Sequence, residues 1–449
     1  MLDRYDLIVV GGGPAGIVAA KTAKSFHPEK NVLVIKKENV GMIPCGIPYV
    51  FGTLKDVDKD TIPNKVLESS SIDLLVDEVI RIDRSSKKLI TKSGKEFSYD
   101  KLILATGSLP RKIPIPGSDK ENVFYVYKNR ELIGDMLERI ENAKKVAVIG
   151  GGFIGLEITD ELVKSNKEIY LIEVLPHVLQ VYFDEEFCEA IENKLVERGV
   201  RLYTNTKVLE IKGNDSVESV VLSNNEEIDV DAVIIATGTK PNIDLAKDSG
   251  LEIDKFGIKV DDRMRTSDEN IFAVGDCAGK YDFLTGKPTP ILLASVACLE
   301  ARVAAMNVFG SSSKYSMGGV IGTFLTAFDD ISLCASGYTE SRARNEGIDV
   351  ITGFAKVADR HPSSLPNTKE IMLKLIFERE THRLIGAELI GDFRDANLIN
   401  VISSLIEKKV SMKEIITMQF GTHPLLTSPP TTFPIISAAL DAMKKLKTE

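Results

Sequence analysis

A strand–glycine–helix pattern occurs twice in this chain. "YDLIVVGGGPAGIVAAKTAK" (5–24) recurs as "KVAVIGGGFIGLEITDELVK" (145–164), and each copy predicts an apolar strand, a tight glycine turn and a helix. A further apolar strand follows each copy, in "NVLVIKKE" (31–38) and in "EIYLIEVLP" (168–176). This arrangement is typical of a nucleotide-binding fold with a parallel sheet.

Another pair of motifs extends the repeat. "KLILATGSLPR" (101–111) is echoed by "AVIIATGTKPN" (232–242), so three motifs recur in the same order about 130 to 140 residues apart. The segment "TSDENIFAVGDCAG" (266–279) has no counterpart in the nearer half and most simply returns the chain to the first fold. We therefore expect the second nucleotide-binding fold to be inserted in the first.

The length of 449 residues also calls for more than one core. We expect the first fold to comprise residues 1–112 and 246–315, with the second fold at 113–245. From about Ser316, strand-like runs such as "GVIGTFLTAF" and "EIMLKLIFE" precede helical patterns such as "DANLINVISSLIEKK", which predicts an α+β domain over 316–449. The expected fold class is α/β, with two Rossmann-like domains and a C-terminal α+β domain.

Composition excludes several classes of protein. A formal net charge of -9 without a basic tract argues against a nucleic-acid partner. The most apolar stretch, 290–299, is followed by Glu300 and Arg302 and is too short for a bilayer span. The first strand begins at Tyr5, which leaves no room for a signal peptide, and five scattered cysteines do not form a disulfide framework. We expect a cytoplasmic protein that has no membrane partner and no metal site.

The glycine loops are the candidate phosphate sites. Gly11, Gly13 and Gly16 satisfy GxGxxG at a strand-to-helix junction, where a pyrophosphate can approach the backbone at the positive end of the helix. The expected cofactor-binding loops consist of Gly11, Gly12, Gly13, Pro14, Ala15 and Gly16 in the first copy and of Gly150, Gly152, Phe153, Ile154 and Gly155 in the second.

An acidic residue about 20 residues after the motif accepts hydrogen bonds from ribose hydroxyls in such folds. In the second copy this residue is Glu173, whose charge would repel a 2′-phosphate and so favours NADH over NADPH. In the first copy the position is Lys36, which can only donate. Three possibilities stay open there: the ribose is held differently, Glu38 reaches back, or Lys36 is merely solvated.

These motifs resemble those of the flavoprotein disulfide reductases that have two dinucleotide-binding domains, and the resemblance covers nearly the whole chain. It implies FAD at "GGGPAG" and NADH at "GGGFIGLE", an FAD contact through Asp276, and a homodimer formed by the third domain. Phe153 matches an aromatic residue that gates the nicotinamide pocket, and Glu157 matches a carboxylate near the nicotinamide, although both could merely pack on their helix. The two "ATG" turns add Ala105, Thr106, Gly107 and Gly238 to the cofactor-binding set.

The segment "MIPCGIPY" (42–49) contains Cys45, with no second cysteine at CxxC or CxxxxC spacing. In family members that carry a CxxxxC pair the second cysteine stands where this chain has Val50. The segment thus resembles the single-cysteine branch, which includes coenzyme A disulfide reductases, NADH oxidases, NADH peroxidases and polysulfide or persulfide reductases. There the cysteine lies against the flavin and reacts as a thiolate, which a helix start can favour. The alternative is a buried structural cysteine.

The other four cysteines lie in apolar patterns and are expected to be structural; they are Cys188, Cys277, Cys298 and Cys334. His423, in "GTHPLLTS", resembles the histidine that two-cysteine members contribute across the dimer as an acid–base catalyst. Its orienting glutamate is replaced by Ser428, so a packing role is the alternative. Pro14 stands where peroxidases and water-forming oxidases carry a histidine, and the tyrosines typical of coenzyme A reductases are missing from the third domain.

The resemblance implies an NADH oxidoreductase that passes hydride through FAD to Cys45, which reduces a small sulfur substrate. Coenzyme A disulfide, polysulfide or another small disulfide could be that substrate. Two alternatives stay open. One is an NADH oxidase in which FAD reacts directly with oxygen. The other is an electron carrier or redox sensor that serves a protein such as rubredoxin.

Overall fold

The structure is a computed structural model that describes residues 3–310 and 314–448. Its first strands are β1 Asp3–Val10, β2 Val32–Lys36, β3 Gly41–Met42, β4 Thr61–Ile62, β5 Asp73–Val76, β6 Val79–Asp83, β7 Lys88–Thr91, β8 Glu96–Leu104, β9 Ser108–Pro110, β10 Val123–Tyr125, β11 Lys145–Ile149, β12 Glu168–Ile172, β13 Arg201–Tyr203 and β14 Val208–Lys212. They are followed by β15 Ser219–Leu222, β16 Glu227–Asp229, β17 Ala232–Ile235, β18 Thr239–Pro241, β19 Ile253–Asp254, β20 Gly257–Ile258, β21 Ile271–Ala273, β22 Lys280–Tyr281, β23 Pro288–Thr289, β24 Thr323–Phe328, β25 Ile331–Gly337, β26 Val350–Ala358, β27 Glu370–Glu378 and β28 Leu384–Gly391. The α-helices are α1 Pro14–Phe26, α2 Lys65–Glu68, α3 Arg130–Asn142, α4 Phe153–Val163, α5 Glu185–Glu197, α6 Asp244–Asp248, α7 Ala294–Asn307, α8 Glu340–Asn345, α9 Leu398–Glu407, α10 Met412–Ile416 and α11 Pro434–Thr448.

The chain divides into two compact units, and we describe each by itself. The first unit consists of Met1–Ala143, Asn214–Val217 and Asp231–Val320. The second consists of Lys144–Gly213, Glu218–Val230 and Ile321–Glu449. The four sequence segments predicted above, with boundaries after 112, 245 and 315, stay a prediction.

The first unit is built on a sheet of order β5-β2-β1-β8-β7-β6, in which β21 also pairs with β8. β1 runs parallel to both β2 and β8, and its apolar residues are buried because both faces of the sheet are covered. β21 joins this sheet in parallel register, from Ile271 opposite Leu102 to Ala273 opposite Leu104. The prediction that "NIFAVGD" returns the chain to the first fold is confirmed.

The second unit contains the second strand–glycine–helix copy and the C-terminal domain. β11, β12 and β13 are parallel neighbours, with α4 following the glycine turn after β11. The C-terminal domain is an antiparallel sheet of order β24-β25-β28-β27-β26. The predicted strands "GTFLTAF" and "EIMLKLIFE" are β24 and β27, and the predicted helix after them is α9, so these elements are confirmed.

Within residues 3–310 and 314–448, no helix combines the length and the apolar character needed to cross a bilayer.

A buried ionic cluster joins the two parts of the second unit. The Asp184 carboxylate, just before α5, accepts the backbone N–H groups of Glu340 and Ser341 at 2.9 and 3.0 Å. It also pairs with Lys374 of β27 at 3.0 Å. Glu388 of β28 is fully buried and accepts the Asp184 N–H at 2.5 Å. Burial, and then the neighbouring Asp184 charge, raises the pKa of Glu388 well above its ordinary value.

Glu388 is therefore expected to make stability depend on pH. A carboxyl whose pKa is raised in the folded state destabilises the protein as pH rises above its unfolded pKa of about 4.5. Glu388→Gln has no proton to lose, so its melting temperature relative to wild type should increase between about pH 5 and about pH 8. Thermal unfolding across this range measures the difference. The exposed Glu189→Gln should show no such trend, and a pH-independent difference for Glu388→Gln would contradict the assignment.

Candidate functional site

The first glycine loop is held by contacts between backbone segments. Gly11 has φ +121°, and a Cβ there would lie 2.1 Å from the carbonyl oxygen of Ala105. A Cβ on Gly16 would lie 2.0 Å from the carbonyl oxygen of Gly11. Only glycine fits both positions, so the loop, α1 and the first "ATG" turn are in direct contact.

The outer side of this loop is open. Helix α1 begins at Pro14, and its N-cap residue Gly13 provides no side-chain cap. A Cβ on Gly13 would meet nothing within 4 Å. The first N–H groups of a helix need acceptors and carry partial positive charge, so this end fits an anionic pyrophosphate.

Lys36 lies beneath the loop and is not solvated. It is 5% exposed, and a Cβ on Gly12 would lie 2.5 Å from its Cδ. Its ammonium donates to the carbonyl of Asn39 at 3.0 Å and to the side-chain oxygen of Asn64. Burial lowers its pKa, while Glu38 opposes this shift. The solvated alternative was wrong because the chain closes over Lys36, and the other two possibilities for the first ribose stay predictions.

The two "ATG" turns meet within the first unit. β9 and β18, the strands that follow them, pair in antiparallel register. The Thr106 hydroxyl donates to the carbonyl of Asn242 at 2.7 Å, and the Asn242 N–H donates to the carbonyl of Gly107 at 2.9 Å. The carbonyl of Gly238 accepts the Arg111 N–H at 2.9 Å. The structure therefore brings together the four predicted residues of these turns.

Asp276 follows β21 in the short 3₁₀ helix Gly275–Cys277. A Cβ on Gly275 would lie 2.9 Å from the Cβ of Ala15, which places this segment beside the glycine loop. The Asp276 carboxylate accepts hydrogen bonds from Ser108 and Lys128, both at 2.7 Å. Burial acts to raise the pKa of Asp276, but Lys128 and Ser108 hold it below its usual value. The ionised Asp276 can accept hydrogen bonds from the hydroxyl groups of FAD. The open glycine loop beside it fits the pyrophosphate of the same cofactor.

Two residues missed by the sequence analysis support this segment. Lys280 and Glu300 are 3% and 1% exposed and form an ion pair of 3.3 Å. Glu300 accepts the Gly275 N–H at 2.7 Å, and Lys280 donates to the Gly275 carbonyl at 2.8 Å. Burial raises the pKa of Glu300 to about 7, and Lys280 opposes the shift. The pair fixes the peptide that precedes Asp276.

Cys45 lies in a turn between β3 and the 3₁₀ helix Ile47–Phe51. The Gly46 N–H donates to the carbonyl of Ile43 at 2.9 Å and closes the turn. Cys45 is exposed, whereas Val50 is fully buried in the core. The alternative of a buried structural cysteine was wrong, since the turn presents Cys45 at the surface of the first unit.

A buried carboxyl lies against the Cys45 turn. Asp60 is 2% exposed, and its Oδ2 has no hydrogen-bond partner among the described residues. A Cβ on Gly46 would lie 1.8 Å from its Oδ1, and its backbone carbonyl accepts the Ile43 N–H at 3.1 Å. Burial raises the pKa of Asp60 to about 6. The sequence carries no local signal for this contact, because a lone aspartate in a loop predicts only a turn.

The second glycine loop repeats the first within its own unit. Gly150 has φ +110°, and a Cβ on Gly152 would meet nothing within 4 Å. Glu173 ends the following strand and is 8% exposed. Its carboxylate accepts the N–H groups of Gly151 at 2.6 Å and Leu175 at 2.8 Å. The open helix start and the adjacent fixed carboxylate fit a dinucleotide with an unphosphorylated ribose.

The start of α4 carries the two predicted nicotinamide residues. The Phe153 ring stacks on Phe324 with a centroid distance of 5.5 Å and an interplanar angle of 15°. Tyr182 packs against both rings, at 4.6 and 4.7 Å. The Glu157 carboxylate accepts the Thr326 hydroxyl at 2.9 Å, and burial raises the pKa of Glu157 to about 7. Tyr182, Phe324 and Thr326 belong to no sequence motif, so their contacts with Phe153 and Glu157 could not be predicted from the sequence.

The family model for pyridine nucleotide-disulphide oxidoreductases matches residues 5–301, and that for the dimerisation domain of the same family matches residues 324–432. The chain belongs to the pyridine nucleotide-disulphide oxidoreductases. It is therefore an FAD-dependent NADH oxidoreductase, which confirms the predicted cofactors and enzyme class.

Several family members are similar over most of their length. An NADH oxidase of Methanocaldococcus jannaschii is 35% identical over 98% of this chain and 99% of its own. A CoA-dependent NAD(P)H sulfur oxidoreductase of Pyrococcus abyssi is 36% identical over 86% of this chain and 87% of its own. The solved structure of an NAD-dependent persulfide reductase from A. fulgidus has a TM-score of 0.92 and 33% identity, covering 98% of this chain and 84% of that one.

The segment that resembles the histidine motif of two-cysteine members lies in an exposed loop of the dimerisation domain. His423 is exposed, and its Nδ1 accepts the Leu425 N–H at 3.2 Å. Ser428, which replaces the orienting glutamate, is 2% exposed. The His361 N–H donates to the carbonyl of Pro424 at 3.2 Å, which joins the two stretches where coenzyme A reductases carry tyrosines. A catalytic role for His423 stays a prediction.

All five cysteines lie in the described part of the chain, and none of them forms a disulfide. Apart from Cys45, the buried cysteines are Cys188, Cys277 and Cys334, and Cys298 is partly exposed. Burial raises the pKa of each of these four thiols. This fits the structural role predicted for them.

The two glycine loops can be tested as a matched pair. Gly13 and Gly152 have nearly identical extended backbones, with φ -78° and -77°, and each has open space where a Cβ would stand. Gly13→Ala should weaken FAD retention, because a methyl group would stand where the pyrophosphate approaches the backbone. Gly152→Ala should keep FAD and raise the KM for NADH. Flavin absorbance after gel filtration and steady-state kinetics separate the effects; loss of FAD from both variants alike would contradict the two assignments.

Proposed function

We propose that this oxidoreductase uses electrons from NADH, through FAD, to let Cys45 reduce a small sulfur substrate. The observation that carries the proposal is the Cys45 turn, where Cys45 is exposed and a buried valine, Val50, occupies the position of the family's second cysteine. Such a site lacks an internal dithiol, so the second sulfur atom of each redox cycle comes from the substrate.

Cys45 acts as the nucleophile in this scheme. Its thiolate attacks a sulfur–sulfur bond of the substrate, forms a mixed disulfide and releases the other sulfur fragment as a thiolate or hydrosulfide. Regenerating the Cys45 thiolate and releasing the bound fragment takes two electrons, which is the chemistry that FAD and NADH supply when bound. The Gly11–Gly16 loop and Asp276 would hold FAD, while the Gly150–Gly155 loop and Glu173 would hold NADH.

The names of relatives support a sulfur acceptor. The Pyrococcus abyssi relative is named a CoA-dependent sulfur oxidoreductase, and the A. fulgidus structure is named a persulfide reductase. Residues 324–432 match the dimerisation domain, and we infer a homodimer in which the exposed His423 loop serves as an acid–base element. The third domain lacks the tyrosines of coenzyme A reductases, which favours a polysulfide or a small persulfide over a coenzyme A disulfide.

A second candidate is an NADH oxidase in which oxygen is reduced at the flavin. The Methanocaldococcus jannaschii relative, which bears that name, matches 98% of this chain. Pro14 in the FAD loop argues against peroxide chemistry that uses the family's loop histidine. The two candidates differ in whether Cys45 is required.

Replacing Cys45 distinguishes them. Cys45→Ser should bind FAD and be reduced by NADH at rates close to wild type, because the glycine loop, both "ATG" turns and Asp276 are unchanged and hydride transfer to the flavin needs no thiol. It should lose at least 100-fold in anaerobic reduction of polysulfide or disulfides, on the order expected when a covalent nucleophile is removed. The partly exposed Cys298→Ser is the matched control and should keep both activities.

Oxygen consumption in the same variants completes the test. An oxidase working directly at the flavin keeps its oxygen consumption in Cys45→Ser. Reduction of sulfur substrates by Cys45→Ser at the wild-type rate would end the thiol-relay proposal.

Glu173 predicts the nucleotide preference. Its carboxylate is fixed beside the second glycine loop, where a 2′-phosphate would meet negative charge. Wild type should therefore prefer NADH over NADPH by at least about tenfold in kcat/KM, or about 1.4 kcal/mol. Glu173→Gln removes the charge and should lower this ratio, whereas the exposed Glu197→Gln should not. An equal or better kcat/KM with NADPH in wild type would refute the role of Glu173.

A further inference from the structure

Strand β24 of the C-terminal domain contacts the two proposed nicotinamide residues on α4. Phe324 stacks on Phe153, with ring centroids 5.5 Å apart. Thr326 donates its hydroxyl hydrogen to Glu157 over 2.9 Å. Both contacts lie within the second unit.

The two contacts form one interface. Phe324 and Thr326 are two residues apart on a strand, so they point to the same side, while Leu325 between them is exposed. Phe153 and Glu157 are four residues apart on a helix and share one face. The strand is therefore aligned along the first turns of α4, and its contact with Glu157 is supported by an independent aromatic contact one turn earlier.

We propose that Thr326 is a positioning residue for the reaction with NADH. Its hydroxyl, on β24 of the C-terminal domain, fixes the orientation of the Glu157 side chain and favours its ionised form. This inference rests on the proposed role of Glu157 near the nicotinamide. Thr326 is 7% exposed, so water does not replace its hydrogen bond readily.

The charge of Glu157 matters because hydride donation leaves positive charge on a nicotinamide ring. An ionised Glu157 stabilises that charge, whereas a protonated Glu157 does not. Burial raises the pKa of Glu157 to about 7, and the Thr326 hydroxyl lowers it by bonding to the ionised form. Without Thr326, Glu157 would be protonated over more of the neutral pH range.

Charged groups near Glu157 lie on its own helix and on the strands packed against that helix. Asp160, on the same helix, raises the pKa of Glu157. The Asp160 carboxylate is itself paired with Lys164 at 3.3 Å and accepts the Asp329 N–H at 3.0 Å. β24 carries no ionisable side chain; the other strands packed on α4 carry Lys145 in β11, and Glu168 and Tyr170 in β12. Glu168 is engaged by Arg201 at 2.7 Å.

The test compares Thr326→Val, which keeps the shape and removes the hydroxyl, with two controls. Thr326→Ser restores a hydroxyl at the same position. Thr323→Val removes a hydroxyl from the same strand that bonds instead to Ser336 and Ser403, at 3.0 and 2.9 Å. The carboxyl titration of Glu157 is followed by infrared difference spectroscopy, with Glu157→Gln identifying its band. The pH dependence of flavin reduction by NADH is measured by anaerobic stopped flow.

In Thr326→Val, the midpoint of the Glu157 carboxyl titration, followed in the infrared, should rise by about one pH unit. The reason is that losing a hydrogen bond to a charged group changes the protonation equilibrium about tenfold. Flavin reduction near pH 7 should slow several-fold and recover at higher pH. Thr326→Ser and Thr323→Val should match wild type. An unchanged infrared midpoint in Thr326→Val would overturn the proposal. If the midpoint shifts as expected but neither Thr326→Val nor Glu157→Gln alters flavin reduction, the coupling stands and the proposed role of Glu157 near the nicotinamide fails.

Discussion

Close approach of backbone to backbone at the first glycine loop is the constraint on which the first unit depends. A side chain at Gly11 or Gly16 would collide with the carbonyl oxygen of Ala105 or of Gly11. β1, β8 and β21 are parallel neighbours in one sheet, so their carboxyl ends lie at the same edge. The segments that follow these strands therefore begin close together. The glycine loop, the first "ATG" turn and Asp276 therefore converge, although Asp276 lies far from Gly11 in the sequence.

Buried charges stabilise the same convergence. Removing an ion pair such as Lys280–Glu300 from water costs free energy that the pair alone repays only with good geometry and further hydrogen bonds. Here both partners also bond to the peptide of Gly275, so the charges are satisfied by the segment that they fix. In the second unit, Asp184 is used in the same way, because its carboxylate holds backbone groups of α8 as well as Lys374. In each unit, buried charges thus fix a backbone segment of that same unit.

The sequence predicted those parts of the fold and site that have a local signature. Glycine spacing and apolar periodicity located both loops, and the lack of a counterpart for 266–279 located the return of β21. Contacts made by single polar residues across long sequence separations could not be predicted in this way. Thr326 meets Glu157 across 169 positions, and nothing near either residue signals the contact. Asp60 and Lys36 were missed or left open for the same reason, since burial of a polar side chain depends on how distant segments close over it.

The single cysteine has a consequence for the kind of substrate that this fold can accept. In the Cys45 turn, the 3₁₀ helix that follows buries Val50 completely while Cys45 stays exposed, so the two positions face different surroundings. A cysteine at the buried position would be inaccessible to a bulky disulfide. Cys277 is fully buried with its thiol hydrogen-bonded to backbone carbonyls, and burial raises its pKa, so it is a poor second nucleophile. In the proposed sulfur chemistry, each turnover through Cys45 would therefore take its second sulfur from outside the chain, which favours an acceptor that brings a sulfur–sulfur bond of its own.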